Sequence, residues 1–346
     1  MTDKDSMVSV VIPTHNYGAY IAEAIQSVLT QTYHVHEIIV VDDGSTDRTE
    51  EILLPYMGRI TYIRQNQRGP SAARNVGMKR SHGEFITFLD ADDQWLPDKL
   101  SVQVGLLRKY PEVGLLFGQV EHCDDAGRAL SGELTPAEGA IPMRTDVMVK
   151  DAFKLLLESC YIVTSTVIIR RECIERVGGF DESLRSVEDR DLWLRIAGSF
   201  QFGYTPRVVT CKRGHANNVS GDSRLQMESH VRMLEALAHR TDLPVNRHVE
   251  LIRARLACLY YRLGTSLFFD DDFHQARKHF HSSLRNQIKL VPLLFFLTTF
   301  LNKLTIRWIV TMKRRFNRAM GYVMRSPVNL NQEPCTFDAR KVGRRS

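Results

Sequence analysis

Three apolar runs near the start of the chain are continuous rather than alternating, and each ends at a polar turn. Val8-Ser9-Val10-Val11-Ile12-Pro13, Ile38-Ile39-Val40-Val41 and Phe85-Ile86-Thr87-Phe88-Leu89 have the pattern of parallel strands buried on both faces. Between the first two, Ile21, Ile25, Val28 and Leu29 recur at helical spacing. The same reading predicts helices over 19–31, 47–54, 70–80 and 98–109, and strands over 59–64, 113–120 and 163–170. Strand and helix alternate, so the expected class is α/β, with a doubly wound, mostly parallel sheet. Residues 121–152 lose periodicity and gather Gly, Pro and acids, which predicts a long loop of functional or mobile character. From 225 onward the pattern is helical, with 253–264 and 273–284 flanking the polar turn Asp270-Asp271-Asp272, and 290–301 is intensely apolar.

Chemistry is expected just past the carboxyl ends of such strands. The third run stops at Asp90-Ala91-Asp92-Asp93 and the second at Asp42-Asp43-Gly44-Ser45. Three acids within four positions repel one another and lose hydration if packed together, so they need water or a cation. Hard carboxylate oxygens select magnesium, manganese or calcium, and the first two commonly share their shell with a substrate's phosphates. That points to a nucleotide. Asp93 reads as a cap for the helix that begins near 96–100. A calcium-binding EF-hand is excluded because Trp95 stands where that loop needs glycine. The turn after the first strand has neither Gly-x-Gly-x-x-Gly nor a phosphate loop. It offers instead Pro13-Thr14-His15-Asn16-Tyr17, with rings to stack on a base and amides to read its edge. Further on, Glu188 and Asp189 open an amphipathic helix, where its dipole favours ionised carboxylates.

The blocks Val8 to Asn16, Val40-Val41-Asp42-Asp43-Gly44-Ser45-Thr46-Asp47, Gly69-Pro70-Ser71-Ala72-Ala73-Arg74-Asn75-Val76-Gly77 and Asp90-Ala91-Asp92-Asp93 together resemble the family 2 glycosyltransferases. Gly178-Gly179-Phe180-Asp181-Glu182 and Glu188-Asp189-Arg190-Asp191-Leu192-Trp193-Leu194-Arg195 extend the resemblance to about residues 7–220. It implies a Rossmann-like fold of the glycosyltransferase A type that binds a nucleotide-sugar, most often a UDP-sugar, with magnesium or manganese. Pro13, Thr14, His15, Asn16, Asp43, Arg74, Asp90 and Ala91 would then line the nucleotide site. Among them His15 would lie beside the base, Asp43 would accept the uracil N3 hydrogen, and Arg74 would face the uridine and diphosphate. Asp90, Asp92 and His215 would serve the metal. Asp189 would be the general base and Glu188 would shape the acceptor site. The resemblance further implies a single inverting displacement, in cell-surface polysaccharide or lipid-linked glycan synthesis.

Composition narrows the setting. At 346 residues, 43% hydrophobic and 25% charged, the chain is ordinary globular material for one large or two modest domains. The expected division is a catalytic domain over 1–222, a basic helical region over 223–325 and a loose tail over 326–346. Six scattered cysteines without a Cys-x-x-Cys pair read as reduced packing residues. The first six residues carry acids and lead straight into a strand, so no signal or transit peptide is expected and the site of action is cytoplasmic. Residues 221–346 hold 22 Lys and Arg against 10 Asp and Glu, a net +12 that leaves −6 for the first 220. The 290–301 segment is too short for a spanning helix on the roughly 20-residue criterion. With Lys313-Arg314-Arg315 and Arg318 behind it, it reads either as a helix lying on the cytoplasmic face of an anionic inner membrane or as a core helix covering the catalytic domain. Two rival functions are a nucleotide-sugar-binding protein without turnover and a nucleic-acid-binding protein using the basic region; nucleic acid is not the expected partner, because no aromatics are interleaved with those charges as a reading element.

Overall fold

The structure, a computed structural model, describes residues 7–135, 141, 147–214 and 223–300. It divides into two compact units, Met1–Val219 with Arg240–Pro244 and Ser220–His239 with Val245–Ser346.

In the first unit, β1 (Val8–Thr14), β2 (Glu37–Asp42), β3 (Thr61–Arg64), β4 (Phe85–Phe88), β5 (Gln94–Trp95), β6 (Val113–Cys123), β7 (Ala129–Thr135), β8 (Ile168–Arg170) and β9 (Gln201–Arg213) share one sheet. Its order is β3-β2-β1-β4-β8-β6-β9-β5, with β7 beside β6. The helices are α1 (Ile21–Leu29), α2 (Thr49–Leu53), α3 (Pro70–Arg80), α4 (Lys99–Lys109), α5 (Ala152–Glu158), α6 (Arg171–Val177) and α7 (Glu188–Ala197). The longest ladders, β1 with β2 and β6 with β9, are parallel, as are β2 with β3 and β1 with β4. β8 pairs antiparallel with both β4 and β6, and β5 with β9. Every residue of β1 is buried, as its continuous apolar run requires for a strand covered on both faces. The chain passes from β1 to β2 to β3 in one direction and then returns to place β4 on the other side of β1. The strand order therefore reverses between β1 and β4, the position at which open α/β sheets form a ligand crevice at the carboxyl ends of their strands. α3 reaches β1 closely through Gly77, where an added Cβ would lie 2.3 Å from Val11 Cγ1.

Four expectations are corrected. The segment read as a loop from 121 onward continues β6 to Cys123 and then forms the hairpin strand β7, because cross-strand pairing with β6 does not require a strongly apolar sequence on an edge. Residues 164–166 are a 3₁₀ turn and only Ile168–Arg170 is strand. Asp93 is not a helix cap: α4 is preceded by Asp98, and Asp93 is buried. Cys123 and Cys211, expected as scattered residues, are brought side by side with Cα atoms 5.9 Å apart, since β6 and β9 are neighbours although their cysteines are 88 positions apart. Cys160 and Cys173 are free thiols.

The second unit is helical, with α8 (Ser223–Ala238), α9 (Val249–Phe269), α10 (Phe273–Asn286) and α11 (Leu290–Thr298). Asp272 caps α10 by accepting from the Gln275 N–H at 3.1 Å, so the acidic turn is a polar connection. Phe268, Ala276 and Phe280 form a small core with Tyr261, Phe273, Phe295 and Phe296 packed on it. Among the described residues no helix is long and apolar enough to cross a membrane. Residues 301–346, including the expected tail, lie outside the described residues.

Candidate active site

The two acidic turns do different things. Asp42 turns inward and is fully buried. Its carboxylate accepts from the Ser45 N–H at 2.7 Å and the Tyr62 hydroxyl at 2.8 Å. Burial, then that hydrogen bond, pushes the Tyr62 phenol up to about 12. Asp43, also buried, accepts from Gln65 Nε2 at 2.6 Å, the Arg68 N–H at 2.9 Å and the Gly69 N–H at 2.7 Å. A carboxylate has about four lone-pair positions, so one remains for a ligand. Gly69, at φ +94°, adopts a conformation that side chains avoid and delivers its N–H to Asp43 just before Pro70 starts α3.

His15 and Asn16 join the first turn to the second. His15 Nδ1 donates to the Asp43 carbonyl at 3.0 Å, which leaves Nε2 to accept from the side-chain amides of Gln67 at 3.1 Å and Asn16 at 3.3 Å. Asn16, in the left-handed region at φ 59°, donates its N–H to Ser45 Oγ and accepts at Oδ1 from the Thr46 and Asp47 N–H groups. Pro13, Thr14 and Ala91 are buried, so Pro13 and Ala91 present only backbone to a ligand. The buried polar atoms Thr14 Oγ1, Gln65 Oε1, Ser71 Oγ and Arg74 Nε, all on the segments that surround this crevice, have no hydrogen-bond partner within the protein.

Arg74, buried on α3, is the brace of the site. Nη2 donates to Asp90 Oδ1 at 2.7 Å and Nη1 to Glu188 Oε1 at 2.9 Å, and the guanidinium lies 5.4 Å from the centre of the Phe180 ring. Burial alone would lower its pKa, but Asp90 and Glu188 outweigh it and the net shift is upward. The Gly178 to Glu182 turn supplies that ring. An added Cβ at Gly179 would lie 2.4 Å from Asn75 Oδ1, the atom that accepts the Phe180 N–H at 2.8 Å.

α7 begins at Glu188 and follows Val187, a β-branched residue at φ 61°. That strained backbone sits immediately before the two acids it aims. Asp189 is partly buried between Arg190, whose N–H donates to Oδ1 at 2.6 Å, and Thr164, whose hydroxyl donates to Oδ2 at 3.4 Å. Burial, then the neighbouring Glu188 charge, raises its carboxyl to about 6, with Arg74 opposing and Asp90 adding to the rise. Arg190 in turn donates to the Leu156 and Leu157 carbonyls at the end of α5.

Asp90, Asp92 and Asp93 crowd together beside Tyr17. Asp93 is pushed up to about 8, first by burial and then by Asp90 and Asp92. The Tyr17 hydroxyl is raised to about 12, by burial and then by Asp92 and Asp90. Among the described residues no three His, Cys, Asp or Glu side chains are arranged to hold a metal by themselves. Magnesium and manganese sites that share their shell with substrate phosphates use only one or two carboxylates, so crowded Asp90 and Asp92 fit such an ion. His215 lies outside the described residues.

Sequence reading thus points to Arg74, Asp90, Glu188 and Asp189, which the structure draws together through the Arg74 guanidinium, and to Asp43, which is held by the N–H groups just ahead of the same helix α3, and misses the residues that hold them. Ser165 accepts from the Asp90 N–H at 3.1 Å and donates to Asp93 Oδ2 at 2.6 Å, while its carbonyl accepts from Trp95 Nε1. Arg213, buried at the end of β9, donates its N–H to Asp93 Oδ1 and Nε to the Asp92 carbonyl at 3.0 Å, and ion-pairs with Glu23. Nothing in the local sequence marks Ser165. Arg213 stands two positions before the histidine that the segment draws attention to.

Comparison with known proteins bears on the family and the fold. The family model described as "Glycosyl transferase family 2" matches residues 9–178. An uncharacterized glycosyltransferase of Rickettsia prowazekii is 30% identical over 225 residues, spanning 65% of this chain and 69% of that protein. The Escherichia coli UDP-Glc:alpha-D-GlcNAc-diphosphoundecaprenol beta-1,3-glucosyltransferase WfgD is 30% identical over 194 residues, 56% of this chain and 70% of that one. In fold, the structure resembles S. aureus TarS 1-349 in complex with UDP, at TM-score 0.60 and 19% identity over 81% of each chain. It also resembles the mannosyltransferase PcManGT of Pyrobaculum calidifontis in complex with GDP-Man and Mn2+, at TM-score 0.53 and 18% identity over 92% of this chain and 88% of that one. The fold is the expected glycosyltransferase A type. The chain is a glycosyltransferase and belongs to glycosyl transferase family 2.

Proposed function

We propose that this enzyme transfers a sugar, with inversion, from a UDP-sugar to an acceptor hydroxyl, in the making of a lipid-linked glycan or cell-surface polysaccharide. The observation that carries the reading is the Arg74 bridge, which joins the acidic turn of Asp90 to the Glu188-Asp189 helix start within two hydrogen bonds. A donor-side acid and an acceptor-side acid would thereby be held across one crevice. The name of the E. coli relative, a UDP-glucose-dependent transferase to a diphosphoundecaprenol-linked sugar, supports both the donor class and the acceptor class.

Residues 1–222 would be the catalytic domain, with 223–325 a helical, basic accessory region and 326–346 a tail. His15 and Asp43 would receive the base, Asp43 through its remaining lone pair, while Arg74, with its unpartnered Nε, would face the diphosphate. Pro13, Thr14, Asn16 and Ala91 would complete the nucleotide site. Asp92 and Asp90 would hold magnesium or manganese, with His215 as a further ligand. When bound, the ion supplies positive charge that stabilises the departing diphosphate. Asp189 would take the proton from the attacking hydroxyl, and a carboxyl raised to about 6 is closer to the ideal of a base poised near neutral pH than an ordinary aspartate. Glu188 would orient the acceptor. The protein would act on the cytoplasmic side of a membrane, held there peripherally.

The test is UDP release from a panel of UDP-sugars with manganese or magnesium, for the native enzyme and Asp189→Asn. Metal-dependent release that falls at least roughly 10²-fold in the variant, with UDP binding retained, is the expected result, set by the usual size of general-base assistance. Binding of UDP-sugar without any turnover would favour a non-catalytic binding protein instead.

A further inference from the structure

α11 has two faces of the same apolar chemistry and only one of them is covered. Phe295 packs edge-on against Tyr261 and Phe268 and lies 5.4 Å from Phe280, and Pro292 is buried. Arg277 fastens the far end, donating Nε to Thr299 Oγ1 at 3.1 Å and Nη2 to the Thr299 carbonyl, with its guanidinium 4.0 Å from the Phe300 ring centre. The helix is therefore seated on α9 and α10. On the other face Leu290, Leu294 and Leu297 are 69%, 52% and 53% exposed, with Val291 and Phe300 also exposed beside them. Positions i, i+4 and i+7 make one stripe along a helix. An exposed aliphatic and aromatic stripe on a folded unit marks an interaction site rather than ordinary surface.

Charge decides what the stripe meets. Residues 273–332 include no Asp or Glu in sixty consecutive positions and eleven Lys or Arg. Lys289 stands at the start of the helix and Arg277 at its end, so the apolar stripe is bracketed by cations. A second copy of this chain would bring the same cations together and be repelled. A surface that is negative at its face and apolar beneath satisfies both properties, and that is an anionic phospholipid bilayer.

We propose that the Leu290–Val291–Leu294–Leu297 face of α11 inserts among the acyl chains of an anionic bilayer, with Arg277 and Lys289 at its headgroups. This names the surface and lipid class for the peripheral placement proposed above, and stands apart from the transfer chemistry. The experiment is sedimentation of the full chain with vesicles of phosphatidylcholine alone and of phosphatidylcholine with phosphatidylglycerol. The native protein is expected to bind the phosphatidylglycerol vesicles, more weakly as salt is raised, and Leu294→Glu/Leu297→Glu to bind at least tenfold more weakly. Leu290→Ser/Val291→Ser, at the exposed start of the helix, should show a smaller loss and serves as the readout if the glutamate pair does not fold by circular dichroism. Equal binding by native protein and folded variants, no binding by the native protein, or a native dimer that the variants convert to monomer would each overturn the proposal. UDP release measured without vesicles should be the same in all of these proteins, so a failure here is separable from a failure of the sugar-transfer reading.

Discussion

At the scale of single residues the site depends on where charge is left unneutralised. Arg74 is a buried cation with a carboxylate on each side, so its removal leaves two acids facing each other without a counterion. Breaking a buried pair by deleting one partner costs about 3–5 kcal/mol, and Arg74→Ala should lose up to about that much stability in urea unfolding. Arg74→Lys should recover only part, since an ammonium cannot span both carboxylates as a planar fork does. Asp189 sets a pH dependence. The groups facing it are Glu188, Asp90, Arg74, Arg190, Cys160 and Thr164. Its folded pKa of about 6 lies above the ordinary 3.8, so the folded protein binds this proton more tightly than the unfolded chain. Its contribution to stability is accordingly present at low pH and is lost as pH rises through about 6. With Asp189 as the proposed base, catalysis would run the other way, because only the ionised carboxylate can accept a proton. Turnover should climb as pH rises through about 6, and Asp189→Asn should flatten that limb of the profile.

At the scale of elements, close approach is what the sequence reports least. The strands β1, β2 and β4 and their terminal acids were legible because burial on both faces writes a continuous apolar run, and α7 was legible because its acids precede a helical apolar spacing. Ser165 and Arg213 were not, since their partners lie 75 and 120 positions away and depend on how β8 and β9 fall in register. The Cys123 and Cys211 pair was hidden for the same reason. β7 was hidden differently: its residues, Ala129 to Thr135, have the polarity of a loop and become strand by pairing with β6. Gly77 gives a direct test of helix-to-sheet spacing. Gly77→Ala should improve helix propensity yet destabilise the protein by about 1–3 kcal/mol in a denaturant melt, because its methyl meets the Val11 side chain. An unchanged or raised stability would mean that α3 sits further from β1 than described.

For the whole molecule, ligand linkage reports on the first unit as a body. UDP and manganese together, at about 100 times their dissociation constant, should add about 2.7 kcal/mol to its stability, seen as a rise in Tm that a chelator reverses. UDP without the ion should give a smaller rise, and no difference between the two would remove Asp90 and Asp92 from the binding of metal. Arg213 carries a lesson for anyone trimming the protein. The family match ends at 178, yet among the described residues the last side chain gripping the acidic turn enters 35 residues later and also reaches back to Glu23 on α1. A fragment cut at the edge of the recognisable motif would keep every signature residue up to that point and lose both the proposed base and the clasp. The smallest working piece should therefore extend at least through residue 213.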